Sequence, residues 1–232
     1  MPTAPALDWP LRADEELYAD VHRVVAAVAA LGGAVGWLTE PSREEADRWL
    51  DGLLESVAGG RARLLVVRAD GRVQALGYWA RLGGAVFERN GELRAVMTHP
   101  AARARGLARL AVRALVEDAR AAGVEVVVLD VRGNNHAALA LYESEGFTAY
   151  GRLPDFVAVG ADRFDRVCLY RDLSRPPGVR RNGGRAVGPG ASRAREAAGA
   201  SPPGRVLDQE GPELEAPSAR RPPDGAGRRE DA

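Results

Sequence analysis

The chain has 232 residues and a formal net charge of zero, and its 46% hydrophobic content is typical of a folded globular protein. Cys168 is the only cysteine, which excludes a disulfide scaffold. The three histidines, His22, His99 and His136, lack the spacing of a metal site. All 32 basic residues are arginines, but neither half of the chain is basic enough to predict nucleic-acid binding from charge alone.

Membrane and secretory segments are not predicted. The longest uncharged stretch, residues 24–39, contains three glycines and is short for a bilayer span. The N-terminus lacks the basic start and apolar run of a secretory signal. We therefore expect a soluble, cytoplasmic protein without a membrane or nucleic-acid partner.

The first predicted elements are a short strand at residues 7–11 and two helices. Asp14 is placed to cap the first helix, whose apolar residues recur at helical spacing. Ser42 and Glu45 form a capping box at the start of the second helix. Its buried stripe is predicted to consist of Ala46, Trp49, Leu50, Leu53, Leu54 and Val57.

Strand signals follow the helices. Residues 63–68 and 72–82 flank Asp70-Gly71, a two-residue hairpin signal. Asn90-Gly91 indicates a second turn, which leads into a strand at residues 92–98. A helix over residues 107–122 comes next.

The last part of the domain begins with a near-continuous apolar run at residues 124–131, which is typical of a central strand covered on both faces. A helix over residues 135–145 ends at Gly146. Two strands, at residues 147–159 and 163–173, complete the order β-α-α-β-β-β-α-β-α-β-β.

Residues 175–232 are dominated by Pro, Gly, Ala, Arg and Glu, with almost no large apolar side chains. Such a stretch cannot bury enough surface to offset the entropy of ordering, so we expect a disordered tail. Its function is either none or a weak arginine-rich tether to anions. The predicted organisation is an N-terminal segment at residues 1–10, an α/β domain at 11–174 and the tail.

The loop at residues 99–106 precedes a helix and is a candidate anion site. Small residues before a helix N-terminus expose backbone N–H groups, which act with the helix dipole to bind phosphate. Gly106 and Ala108 let a ligand approach the backbone. Three arginines add positive charge: Arg103, Arg105 and Arg109. An ordinary arginine-rich connection is the alternative.

Two motifs resemble those of the GNAT family of N-acetyltransferases. Residues 103–108 match its pyrophosphate-binding motif, Arg/Gln-x-x-Gly-x-Gly/Ala, although the glycine common after the arginine is Ala104 here. Residues 131–147 are similar to its strand–helix segment, V-x-x-x-N-x-x-A-x-x-L-Y-x-x-x-G-F, in which Asn135 and Tyr142 share one helix face. Taken alone, Asn135 is as well explained as a helix cap and Tyr142 as a packing residue; the joint spacing favours the family.

The resemblance implies the acyl-CoA N-acyltransferase fold, an α/β (α+β) architecture. Its mixed, mostly antiparallel sheet of about seven strands is splayed between strands 4 and 5 and flanked by about four helices. The resemblance also implies acetyl-CoA as co-substrate and no metal. The implied acetyl-CoA-binding residues are Val96, Met97, Thr98, Arg103, Ala104, Arg105, Gly106, Leu107, Ala108, Arg109 and Asn135.

The implied reaction is direct transfer of acetyl to an amine. Tyr142 would protonate the departing thiolate, and a backbone N–H near Met97 would stabilise the oxyanion. Glu92 and Asp130 would act as general bases, each through a water, unless they are merely solvated carboxylates at strand ends.

The acceptor is expected to be the primary amine of a small molecule. A protein or peptide N-terminal amine is the alternative acceptor, and a non-catalytic acyl-CoA-binding module is the alternative class. Whether the protein forms a homodimer is left open. Candidate acceptor-lining residues are Trp37, Trp49, Tyr78, Trp79, Tyr150, Asp155, Phe156 and Asp162; the position of Trp49 on the buried helix stripe favours the core for that residue.

Overall fold

Strands and helices follow one another in the predicted order. The computed structural model describes residues 4–32, 36–37 and 39–174, so the predicted tail lies outside the described residues. The elements are β1 (Ala6–Asp8), α1 (Glu15–Ala30), α2 (Arg43–Ala58), β2 (Ala62–Ala69), β3 (Arg72–Arg81), β4 (Asn90–Thr98), α3 (Leu107–Ala121), β5 (Val126–Arg132), α4 (His136–Ser144), β6 (Thr148–Val159) and β7 (Asp162–Asp172).

The described strands form one mixed sheet in the order β1-β2-β3-β4-β5-β7-β6. Only β4 and β5 pair in parallel, and the other neighbours are antiparallel. The predicted architecture is therefore confirmed. The first strand lies slightly earlier than predicted, because Ala6 to Asp8 pair with β2 whereas Leu11 is outside the strand and exposed.

Both predicted helix caps are present. Asp14 Oδ1 accepts a hydrogen bond from the Leu17 amide at 2.9 Å. Ser42 Oγ accepts from the Glu45 amide at 3.2 Å, and Glu45 Oε2 accepts from the Ser42 amide at 2.8 Å. These bonds satisfy backbone N–H groups that a helix start leaves without intrahelical partners.

One of the two predicted turns is confirmed, and the other is wrong. Asp70 and Gly71 join β2 to β3 with φ of 55° and 75°, the left-handed conformation that a two-residue hairpin needs. Asn90 and Gly91 instead lie inside β4, where Gly91 pairs with Arg81 and with Val127. The chain reverses before them, through a short 3₁₀ helix at Ala85–Phe87.

Helices cover the two faces of the sheet unequally. On one face, α1 and α2 pack on β2, β3 and the end of β4. On the other, α3 packs on β2 to β4, and the buried side chains of β5 and β7 join the same core.

The prediction that β5 is covered on both faces is wrong. Val127, Leu129 and Val131 are buried in the core that includes side chains of α3 and α4, whereas Val126 and Val128 are half-buried and Asp130 is exposed. The reason is that α1 and α2 reach only as far as β4. The face of the sheet that these helices cover on β2 to β4 is therefore left uncovered on β5, β7 and β6 in the described part of the chain. We call this surface the open face.

Candidate active site

The parallel pair β4–β5 separates soon after it forms. Pairing is restricted to Asn90–Val126, Gly91–Val127 and Glu92–Val128. Beyond these residues β5 continues along β7 to Arg132, and β4 continues along β3 to Thr98. The β5-facing backbone edge of residues 94–98 therefore has no strand partner among the described residues, as expected for the splayed fold.

A bulge bends β4 at this edge. Tyr78 pairs with Arg94 and Leu76 with Met97, so Ala95 and Val96 share one position opposite Gly77. Ala95 takes φ of 50°, a left-handed conformation that few non-glycine residues adopt. A Cβ on Gly77 would lie 3.1 Å from Val96 Cγ2 and 3.2 Å from Val96 Cα, so a larger residue there would make Val96 shift by a few tenths of an ångström. The bulge was not predicted from the sequence, where Gly77 inside a strand was the available signal.

The loop after β4 ends at the uncapped N-terminus of α3. Ala104 and Gly106 take φ of 60° and 78°, and no side chain caps the helix. The Leu110 amide begins the helical bonding by donating to Gly106 O at 3.0 Å. The amides of residues 107–109 have no recorded partner in the described chain, so they can bind an anion.

His99 shapes the start of this loop. Its Nδ1 accepts a hydrogen bond from the Ala101 amide at 3.3 Å, which requires a neutral ring nitrogen. Burial, followed by the positive charges of nearby arginines, lowers the pKa of His99 below its ordinary value. The arginines are Arg23, Arg72 and Arg103.

The three arginines of the loop lie in different surroundings. Arg105 Nη1 is 2.6 Å from Asp70 Oδ2 in the β2–β3 turn. Arg109 Nε is 3.2 Å from Glu145 Oε1, and Arg109 Nη2 donates to Ser144 Oγ at 3.1 Å. Arg103 is exposed and has no ion pair with another described residue. Glu145, which was not singled out from the sequence, thus holds Arg109 beside α4.

Tyr142 lies inside the fold at the other side of the split. It is 8% exposed and packs edge to face on Phe147, with ring centroids 5.5 Å apart. Its hydroxyl has no recorded hydrogen bond to a described residue. Burial and, after it, the negative charge of Asp130 raise the pKa of the Tyr142 phenol above its ordinary value. Tyr142 therefore keeps its proton at neutral pH.

Asn135 caps the helix that carries Tyr142. Its Oδ1 accepts a hydrogen bond from the Ala138 amide at 3.2 Å, while the residue itself is exposed. The alternative that the sequence allowed, a helix cap, is thus what the structure shows, and the side-chain NH₂ group remains available to a ligand.

Asp130 lies on the open face and Glu92 lies next to that face on β4, and both candidate bases are paired with arginine. Glu92 Oε2 accepts from Arg94 Nε at 2.7 Å, and Arg94 also contacts the Tyr78 hydroxyl. Asp130 Oδ1 accepts from Arg166 Nη2 at 2.7 Å. Each carboxylate thus has one oxygen engaged by arginine, and its other oxygen has no recorded hydrogen bond to a described residue.

The candidate acceptor-lining aromatics do not share one surface: Tyr78 is buried in the core beneath α1 and α2, and Trp37 and Trp49 pack against that core. Trp37, Trp49 and Tyr78 contact one another edge to face, at centroid distances of 5.6 and 6.2 Å. Tyr150 and Phe156 are exposed on β6. The prediction that Trp79 lines the acceptor site is wrong: it is 1% exposed and its Nε1 donates to Asp118 of α3 at 2.8 Å, because it points to the opposite face from Tyr78.

Other features of the described residues lie away from this site. A cavity of about 550 Å³ lies where β4 and β5 begin, at the closed end of the pair, between Arg81, Arg120 and Glu125. No described helix is long and apolar enough to cross a membrane. The described residues include no group of three or more His, Cys, Asp or Glu side chains that could hold a metal ion.

The sequence model described as the acetyltransferase (GNAT) family matches residues 23–147, more than half of the chain. Among solved structures, the chain is similar to a phosphinothricin acetyltransferase of the GNAT superfamily from Sinorhizobium meliloti, solved in complex with acetyl-CoA. The identity is 19%, the match covers 78% of this chain and 95% of that one, and the TM-score is 0.61.

Two further solved structures are similar. A ribosomal-protein-alanine N-acetyltransferase from Brucella melitensis is 21% identical, with 72% of this chain and 99% of that one covered and a TM-score of 0.60. An N-acetyltransferase from Staphylococcus aureus is 16% identical, with 74% and 99% covered and a TM-score of 0.62. At these identities the structural matches show a shared fold.

Proposed function

The chain belongs to the acetyltransferase (GNAT) family, and we propose that it transfers the acetyl group of acetyl-CoA directly to the primary amine of a small molecule in a ternary complex. One observation carries the proposal. The separation of β4 from β5 after Glu92 and Val128 leaves a free strand edge that leads into an uncapped helix N-terminus. A long thioester with a pyrophosphate at one end fits both parts.

Acetyl-CoA supplies an activated acetyl group when it is bound. We assign its pantetheine arm to the free backbone edge of Val96, Met97 and Thr98, which would pair with it as with an added strand. We assign its pyrophosphate to residues 103–109, where the first amides of α3 meet the positive end of the helix dipole. In support, the space where a Cβ of Gly106 would stand has no atom within 4 Å apart from those of Gly106 and its chain neighbours. Asn135 contributes its free side-chain NH₂ group.

Tyr142 serves in this proposal as the proton donor to the departing sulfur. A thiol of pKa about 8.5 is a moderate leaving group that a positioned phenol assists. The raised pKa of Tyr142 keeps the phenol protonated before transfer. Tyr142 donates its proton as the carbon–sulfur bond breaks and the new carbon–nitrogen bond forms, and solvent then restores the proton.

Glu92 and Asp130 serve as the bases that free the amine. An alkyl amine of pKa about 10.4 is only a few parts in ten thousand neutral at pH 7, so removing its proton costs about 4–5 kcal/mol. The free oxygen of Glu92 or Asp130 would accept this proton through a water, while the other oxygen stays bound to arginine.

The test is an acetyl-transfer assay with acetyl-CoA and a panel of amines, read by mass spectrometry of the acetylated product. Product detection is preferable to a thiol reagent because Cys168 is a free cysteine that would react as well. We expect acetylated product with a small primary amine, and its loss in the Gly106→Asp variant. No product with any amine, although acetyl-CoA binds in calorimetry, would identify a non-catalytic binding module instead. Product with peptides alone would identify the peptide amine as the acceptor.

A further inference from the structure

We propose that the acceptor amine carries a carboxylate beside it, as in an α-amino acid, and that Arg166 binds this carboxylate. The inference rests on the acetyl transfer proposed above. It names the acceptor class from the charges on the open face.

The guanidinium of Arg166 is held in place by two contacts. Its Cζ lies 5.3 Å from the ring centroid of Phe156, and its Nη2 donates to Asp130 Oδ1 at 2.7 Å. A guanidinium fixed in this way loses little further freedom when it binds a second anion. Arg166 is thus prepared to bind.

Arg166 also has unused donor groups. Its Nη1 has no recorded hydrogen bond to a described residue and is not enclosed, whereas its Nε is enclosed without a partner, so Nη1 is the donor that a ligand can reach. The Arg166 side chain keeps 35% of its surface exposed, so an anion on the open face can reach its free donor. Arginine donors in a planar fork match the two oxygens of a carboxylate.

The balance of charge on the open face favours an anionic group over a second cation. The two carboxylates that act on Arg166, Asp130 and Glu92, are each already paired with an arginine. Arg132 adds a third guanidinium, which reaches across to the end of α1 by donating from Nη2 to Gly32 O at 2.8 Å. A polyamine acceptor would bring a second positive charge, and neither of the two carboxylates is left unpaired to bind it.

The Asp130–Arg166 pair is complementary to a zwitterion. It presents opposite charges side by side, just as an α-amino acid carries its ammonium and carboxylate groups close together. With the carboxylate on Arg166, the ammonium group falls beside Asp130, which accepts its proton through a water. One ion pair then orients the acceptor and activates it.

The experiment compares each of several α-amino acids with its own primary amide, in the full chain with acetyl-CoA. The two molecules share a side chain and differ in the carboxylate. The amine of the amide has a pKa of about 7.7–8.0, below that of the free acid, so intrinsic reactivity at neutral pH favours the amide. We expect kcat/KM to favour the acid instead, by about tenfold or more, the size of a charge-assisted hydrogen bond.

Variants assign the preference to Arg166. We expect Arg166→Gln to remove most of the acid-over-amide preference and Arg166→Lys to restore part of it. Arg152→Gln is the matched control. Arg152 lies on the same β6–β7 hairpin and forms a similar ion pair, with Asp165 at 2.6 Å. Asp165 points to the face of the sheet opposite to that of Arg166. The acid-over-amide ratio of kcat/KM in Arg152→Gln should equal that of the unchanged protein. The ratio of two substrates is independent of the fraction of protein that is folded.

Each outcome decides the inference. The inference would be overturned if amides, or amines without a carboxylate, were acetylated with a kcat/KM equal to that of the acids. The acetyltransferase function would then still stand. An unchanged acid preference in Arg166→Gln would overturn the inference in the same way. Absence of product from every amine in the wider panel would contradict the acetyl transfer itself and the inference with it.

Discussion

The carboxylate of Asp130 lies close enough to the hydroxyl of Tyr142 to raise the pKa of that phenol, adding to the larger effect of burial. The same carboxylate accepts a hydrogen bond from Arg166 on β7. Asp130 therefore connects the buried residue at the split with the open face, and the proposed proton donor and the proposed acceptor site share one electrostatic neighbour.

We expect Tyr142→Phe to lower kcat by about tenfold or more, because the sulfur loses its proton donor. The dissociation constant of acetyl-CoA should stay within about twofold, since the ring and its packing on Phe147 remain. Single-turnover kinetics and calorimetry measure the two quantities. Tyr18→Phe is the control, as it removes a hydroxyl bonded to Asp51 between α1 and α2. Undiminished kcat in Tyr142→Phe would remove Tyr142 from the reaction.

We expect Glu92→Gln and Asp130→Asn each to lower kcat/KM at neutral pH, because each removes a carboxylate that is proposed to accept the amine proton. The loss should shrink as the pH rises toward the amine pKa of about 10.4, where the amine needs no base. Profiles of kcat/KM against pH measure this. A loss of equal size at every pH would give that carboxylate a purely structural role.

Replacing Ala104 by glycine should stabilise the protein. Ala104 has φ of 60°, and a left-handed conformation costs an alanine about 1–2 kcal/mol. The greater freedom of glycine in the unfolded chain offsets part of this gain, which leaves about 0.5–1 kcal/mol. Ala108→Gly, in the first turn of α3, should instead destabilise by about 0.5–1 kcal/mol. Urea unfolding measures the change in the free energy of unfolding of each variant. A change of the same sign in both variants would contradict the left-handed conformation of Ala104.

We expect Gly106→Asp to abolish acetyl-CoA binding, because it places a carboxylate where the pyrophosphate is proposed to bind. Gly160→Asp is a matched control for backbone strain. Both glycines have positive φ, 78° and 59°, and a Cβ added to either would have no atom within 4 Å apart from those of the glycine and its chain neighbours, but Gly160 lies in the β6–β7 turn. Calorimetry with acetyl-CoA should show binding in the control alone. Equal affinity in the two variants would exclude residues 103–109 as the pyrophosphate site.

His99 should make the protein less stable in mild acid. Its folded-state pKa is lowered, so the unfolded chain takes up the proton more readily. The stabilisation is complete above the unfolded pKa of about 6.5 and is lost as the pH falls from there toward the folded pKa. Urea unfolding at about pH 5 and about pH 7.5 should show this slope, and a smaller one in His99→Asn. His136→Asn, at the exposed start of α4, serves as the control. An unchanged slope in His99→Asn would assign the effect to other groups.

Local sequence signals predicted the fold well where one residue type suits one backbone geometry. Asp14, Ser42 and Gly71 each satisfy a helix start or a tight turn by themselves, and each occupies the predicted place. Asn90-Gly91 has the same turn composition but lies inside β4, because pairing with β3 and β5 outweighs the local preference.

The site was harder to predict because it depends on contacts between distant elements. The loop and Tyr142 were proposed as site residues from motifs, and that proposal stays a prediction; the sequence contains no local sign that Arg166 binds Asp130 or that Trp79 faces α3. The face toward which a strand residue points depends on register. The β4 bulge alone reverses which side chains of that strand face α1 and α2.

Glu145 has a consequence for protein engineering. This buried carboxylate lies 3.2 Å from Arg109 Nε and 2.8 Å from Arg113 Nε, and so fastens α3 to the end of α4. These ion pairs connect α3, which follows the loop at residues 99–106, to α4, which carries Tyr142. A chimera that exchanges one of these helices for that of a homologue must carry over its ion-pair partner as well, and the natural unit of exchange is residues 99–147.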